Sequence, residues 1–307
     1  MSQADARART ALLETAFESG IRHFDVAPYY GYGEAEAALG AFLRARRGEV
    51  TVATKFGIQP PGPTSLVKHV VGWARRAAKA SPLLRRGMQA SAGKLVKRGD
   101  FSAEAARKSL ELSLRSLQTD HVDFYLLHDC RAEDCRAEDA ASEELLTFLQ
   151  QSVAQGKILR FGVGTDISQV AQICRAAPDF AGVVQFENSV LRQNRALLPE
   201  AGPRVVITHR ALNETLERLV RFFASDKEAA ARWSSRVGAD CADRDVLGRL
   251  ALDYAVRANP GGLVLFSSRS PGRVAQNARS VAESPYSAEQ IALFAGVAGE
   301  PGLSQEL

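Results

Sequence analysis

Four side chains stand where short apolar runs end: Asp25 and Tyr30 in FDVAPYYG, Lys55 in VATKFG, and His128 in FYLLHDC. Together they fit a proton-transfer device. A phenol with an ordinary pKa of about 10 is a weak acid at neutral pH unless a nearby cation stabilises its anion, and Lys55 can supply that charge. Asp25 can hold Lys55 as an ion-pair partner. His128 can donate a hydrogen bond to a substrate oxygen, leaving Tyr30 to protonate that oxygen as negative charge develops. This is the chemistry of carbonyl reduction. Taken singly, each residue has a plainer reading: a loop cap, a packed ring, a surface lysine, a satisfied buried histidine. A lysine at a strand end can also form a Schiff base in an aldolase-like barrel, but a carboxylate partner keeps it protonated and a poor nucleophile.

The elements that must position these residues alternate along the chain. Apolar runs bounded by glycine near 22–26, 51–54, 122–126, 159–163, 182–185, 204–207 and 262–265 are separated by stretches of helical period such as SAEAARKSLELSLRSL. Buried parallel strands with helices between them predict an α/β fold, specifically a (β/α)8 TIM barrel with its site at the strands' carboxyl ends. A doubly wound open sheet is the alternative. No Gly-x-Gly-x-x-Gly joins a strand to a helix, and GYGEAE, which comes nearest, lacks the third glycine. Only seven strands are visible and the chain opens with a helical pattern, so the barrel is expected to lack its first strand at the N-terminus. Such a barrel exposes two unpaired edges, which favours a homo-oligomer.

At 307 residues, with 46% hydrophobic and 24% charged positions, the composition is that of a folded globular chain and excludes wholesale disorder. A net charge of +4 is too small to imply a nucleic-acid partner. The basic excess is local: residues 58–100 hold nine Lys/Arg against one acidic residue. Within them Leu66, Val70, Trp73 and Ala77 fall on one helical face and Lys68, Arg75, Arg76 and Lys79 largely around the other. A helical lid with a solvated basic face is expected, with contact to an anionic substrate or a membrane surface as the sharper reading. No apolar run reaches the roughly 20 residues of a membrane span and no signal peptide is visible, so a cytoplasmic protein is expected. The whole chain, 1–307, reads as one barrel domain with long insertions at 57–101 and 208–242. Cys130, Cys135, Cys174 and Cys241 lack zinc-site spacing and read as free thiols. The first two recur because CRAED is written twice over 130–139, and no metal is expected there.

The motifs FDVAPYYGYGEAEAALG, VATKFG, DFYLLHD, GKILRFGVGTD and VVQFEN occur in the order and at the strand ends of the aldo-keto reductase family, which the sequence resembles nearly end to end. The resemblance implies a barrel that reduces a small-molecule aldehyde or ketone with NADPH, with Tyr30 as general acid supported by Lys55, Asp25 and His128. It implies a cofactor site at Gln185, at His209 in the place of the aromatic that stacks on nicotinamide, and in SSRSPGRVAQN at Ser268, Arg273, Gln276 and Asn277. Ser268 and Arg273 at a helix start suit a 2′-phosphate through a hydroxyl, a guanidinium and backbone N–H groups. Alternatively, SPGR is only a helix start. Ser267 stands where many relatives have lysine, and Gly164 and Thr165 replace the serine and asparagine that grip the nicotinamide amide. The departures and the absent strand leave a second expectation, a catalytically inactive relative that binds the nicotinamide cofactor or a protein partner.

Overall fold

In the computed structural model, residues 3–58, 99–136, 138–200, 202 and 204–304 are described. The basic face expected at Lys68, Arg75, Arg76 and Lys79, and most of the 57–101 insertion, lie outside these residues. Seven parallel strands form one sheet in sequence order: β1 (His23–Asp25), β2 (Thr51–Phe56), β3 (Val122–His128), β4 (Ile158–Gly164), β5 (Val183–Glu187), β6 (Val205–His209) and β7 (Leu263–Val264). They coincide with the seven predicted runs. The sheet curls into a nearly closed (β/α) barrel, and among the described residues no ladder joins β7 to β1.

Strand composition explains the curl. All seven residues of β3, VDFYLLH, are buried, as a strand covered on both faces must be. Alternate residues turn inward: Ala53, Phe124, Leu126, Val183 and Ile207 fill the barrel. Their neighbours Val52, Tyr125, Leu127, Val163 and Val184 turn outward into the core beneath the helices. The register pairs Lys55 with Leu126 and Gly164 with Gln185. The inward phase that builds the core therefore carries Asp25, Lys55, His128, Gln185 and His209 to its upper end. A Cβ on Gly162 would meet the Val183 carbonyl oxygen at 1.8 Å, so only glycine permits β4 and β5 to approach here.

Helices α1 (Gln3–Glu18), α2 (Glu34–Leu43), α3 (Ala103–Leu117), α4 (Ala140–Ala154) and α5 (Ile167–Ala176) cover one part of the wall. The remaining part is covered by α6 (Asn213–Ser225), α7 (Lys227–Val237), α8 (Arg244–Arg257), α9 (Pro271–Ala282), α10 (Ala288–Ala295) and the short α11 (Pro301–Ser304). The expected 208–242 insertion is the helix pair α6 and α7, which shares a second core with α8 and α10 through Leu219, Phe223, Trp233, Leu250 and Phe294. Helix α1 packs against both α2 and α9, so the helical layer crosses the seam that the sheet leaves open. Arg9 to Glu34 at 2.7 Å and Arg46 to Glu14 at 2.8 Å tie α1 to the α2 region. Cys130, Cys135, Cys174 and Cys241 are buried free thiols. Among the described residues, no helix is long and apolar enough to cross a membrane.

Candidate active site

At the carboxyl end of the barrel a cavity of about 700 Å³ is lined by Asp25, Tyr29, Tyr30, Lys55, His128, Gln185 and His209. It continues past Ser267 and Ser268 to Val274 on α9. The four residues singled out for proton transfer are thus brought together from β1, β2, β3 and the turn after β1. Lys55 is almost wholly buried, and its Nζ donates to Asp25 Oδ1 at 2.5 Å and to the Val26 carbonyl at 3.1 Å. Nζ also lies 5.3 Å from the centroid of the Tyr30 ring.

The electrostatics differ from the expectation at one point. Lys55 was expected to lower the Tyr30 phenol, yet burial, followed by the Asp25 carboxylate, pushes it well above the ordinary tyrosine range. Burial is the larger cause, and the ion pair removes the help expected from Lys55. Asp25 neutralises the lysine, and the cation sits over the ring rather than against the hydroxyl. Burial, reinforced by Lys55, depresses His128 to about 3, and burial with Arg210 depresses His209 to about 4, so both imidazoles are neutral at physiological pH.

Three contacts were not foreseen. Tyr29 stands edge-on to Tyr30 with ring centroids 5.0 Å apart, and its hydroxyl is 3.4 Å from His128 Nε2. The doubled tyrosine of APYYG was the signal available for it. Gln185, expected at the nicotinamide amide, instead donates from Nε2 to Asp25 Oδ2 at 3.0 Å. Asp25 is therefore gripped from both sides of the barrel. Thr165, which with Gly164 makes up the substituted amide positions, gives its hydroxyl to the Cys130 carbonyl at 2.8 Å.

Around the mouth, Asp129, Arg210 and Asn213 line the cavity, with φ of 54°, 63° and 43°. Three side chains bearing polar groups are thus held there in the left-handed region that L residues other than glycine rarely adopt. Burial and neighbouring Asp166 raise the Asp129 carboxyl above its usual range.

The cofactor positions are only partly assembled. Ser268 lines the cavity and its hydroxyl accepts from Ser270 N–H at 3.1 Å. Ser270 caps α9, accepting from Arg273 N–H at 3.4 Å, with Pro271 in the first turn, so the segment is also the plain helix start that its sequence suggested. The Arg273 guanidinium turns toward α8, 3.0 Å from Asp245 Oδ1, and does not line the cavity. Gln276 lines a separate hollow of about 400 Å³ with Arg249 and Arg279, and Asn277 lines neither. An extended dinucleotide nevertheless fits the described surface. The cavity is continuous from Tyr30 to Ser268 and Val274 at the start of α9, and a neutral flat ring at His209 stands on its wall.

A parallel barrel with a buried Lys–Asp pair, a tyrosine and a histidine at its strand ends defines an enzyme-type barrel with its site in the usual place. A profile of the Aldo/keto reductase family matches residues 2–202, and the chain belongs to that family. A D-threo-aldose 1-dehydrogenase from Pseudomonas sp. is 31% identical over 168 residues, 52% of this chain and 44% of its own length. This chain thus spans less than half of that relative. An aldo-keto reductase from Bacillus halodurans in its holo form superposes with a TM-score of 0.65 at 18% identity, over 93% of this chain and 85% of that one. An aldo-keto reductase from Klebsiella pneumoniae in complex with NADPH superposes at 0.61 and 21% identity, over 98% and 88%. These likenesses show the fold.

Proposed function

We propose that this chain is an NADPH-dependent reductase of aldehydes or ketones in which Tyr30 is the general acid. The observation that carries the reading is the placement of Tyr30 beside the buried Lys55–Asp25 pair, in a cavity that runs on to α9. When bound, the nicotinamide supplies a hydride to the carbonyl carbon. The chain's own residues manage the proton. His128, neutral at working pH, has a ring N–H to offer the carbonyl oxygen. Tyr30 remains protonated until that oxygen becomes an alkoxide, a base strong enough to take a proton from a phenol of raised pKa. The phenolate left behind lies beside the Lys55–Asp25 pair, whose carboxylate Gln185 helps to anchor.

The likeness to a D-threo-aldose 1-dehydrogenase, together with a mouth lined by Asp129, Asp166, Arg210 and Asn213, favours a polyhydroxylated carbonyl compound. The test follows NADPH consumption with a panel of aldoses and simple aldehydes, and compares Tyr30→Phe with the native chain. We expect turnover of at least one aldose, and a loss of about two to four powers of ten in kcat for the variant with NADPH binding retained. Native turnover in Tyr30→Phe would sink the proposal. NADPH binding with no turnover on the panel would instead favour the inactive relative.

A further inference from the structure

We propose that Asp245 sets the cofactor preference of this protein by competing with the 2′-phosphate of NADPH for Arg273. The proposal rests on the reading of Arg273 as the phosphate ligand. Asp245 lies in the first turn of α8 and Arg273 in the first turn of α9, and the ion pair at 3.0 Å joins them. Both side chains are about half exposed, at 50% and 47%.

Three features make Asp245 a competitor rather than a structural support. Its helix is already capped by Asp243, whose carboxylate accepts from Asp245 N–H at 2.7 Å and Val246 N–H at 2.9 Å, so the Asp245 side chain is not needed to finish the helix end. The pair is solvated, and exposed ion pairs are weak enough for a dianion to displace. Thirdly, a displaced Asp245 carboxylate stays tethered to α8 beside the bound phosphate, where like charges repel. A second cation, Arg249, lies one turn along α8 within the field of Asp245 and opens onto the hollow that Gln276 lines. Removing the carboxylate therefore leaves the Arg273 guanidinium without its ion-pair partner and open to a phosphate. NADH carries no 2′-phosphate and so presents no like charge for Asp245 to repel. The native chain should accordingly discriminate between the two cofactors less than its Arg273 alone would dictate.

The experiment is a calorimetric titration of the full chain with NADPH and NADH, for the native protein, Asp245→Asn, Asp245→Ala and Arg273→Ala, with circular dichroism to establish folding. We expect both Asp245 variants to bind NADPH about threefold to tenfold more tightly, as loss of one like charge near a phosphate in water implies, with NADH changed less than about twofold. The alanine variant guards against an asparagine amide that still holds the guanidinium. Arg273→Ala tests the underlying reading: it should weaken NADPH and leave NADH nearly unaffected. Equal effects of Arg273→Ala on both cofactors would overturn the phosphate reading and the proposal with it. A selective Arg273→Ala effect with unchanged or weaker NADPH binding in the Asp245 variants would overturn the proposal alone.

Discussion

From β2 to β6 the barrel wall is made of strands five to seven residues long, whereas β1 has three residues and β7 two where they face each other across the seam. The closed arc is locked at its lower end, where Asp123 accepts from Arg47 and from Val52 N–H, both at 2.8 Å. At the seam, by contrast, His23 bonds Thr51 Oγ1 through Nδ1 but leaves Nε2 buried with no partner. The two regions nevertheless share one active site, because Asp25 at the tip of β1 is held by Lys55 from β2 and Gln185 from β5. Side-chain bonds reaching into the arc therefore fix the catalytic end of the weaker strand, which explains how a site can be ordered beside an open seam.

The strongest way to break this comparison is to cut that tether. Lys55→Met leaves Asp25 as a buried, uncompensated carboxylate and should lower unfolding free energy by about 3–5 kcal/mol in urea denaturation. A loss below about 1 kcal/mol would mean that β1 does not depend on the arc. Amide hydrogen exchange offers the next largest contrast. The amides of β1 and β7 should open at a free energy about 2 kcal/mol below those of β3 and β4, roughly a thirtyfold difference in rate, and equal protection would erase the distinction.

The smallest effect per residue is the response to pH. His128 and His209 in the arc and His23 at the seam, the last depressed to about 4 chiefly by burial, all sit below the ordinary 6.5. Between about pH 6.5 and 4 the unfolded chain binds protons that the folded chain does not, so stability falls as pH falls through that window. At pH 5.5 each histidine should account for about 1 kcal/mol, read as a lower Tm than at pH 7.5. His23→Gln should flatten part of that slope. An unchanged slope would show that the seam admits water and leaves His23 near its ordinary pKa.

The strands were legible because β-branched and apolar runs bounded by glycine leave little else for those segments to be, and Asp25, Lys55 and His128 were found because they end such runs. Helices α6 and α7 were read only as a long connection, since the apolar faces of NETLERLVRFFAS and KEAAARWSSRV find their partners in α8 and α10, far along the chain. The same distance hid the destinations of polar side chains. Gln185 reaches Asp25 across 160 positions, and Arg273 reaches Asp245 across 28. Residue type announced that each could bind an anion or an amide; only the fold showed which group is already there. The burial of Tyr30 and the pairing of Asp25 with Lys55, which leave the phenol raised rather than lowered, belong to the same class of three-dimensional fact.

The left-handed residues on the cavity rim bear on how such a protein can change over generations. At Asp129 and Arg210 a glycine would relieve roughly 1 kcal/mol of backbone strain while deleting a charge that faces whatever enters the mouth. The substitutions that would most readily make the chain more robust at these positions are those that blank out its recognition of a ligand. Selection for durability and selection for substrate choice therefore pull in opposite directions on the same two codons, and drift in substrate preference among descendants should be recorded there first.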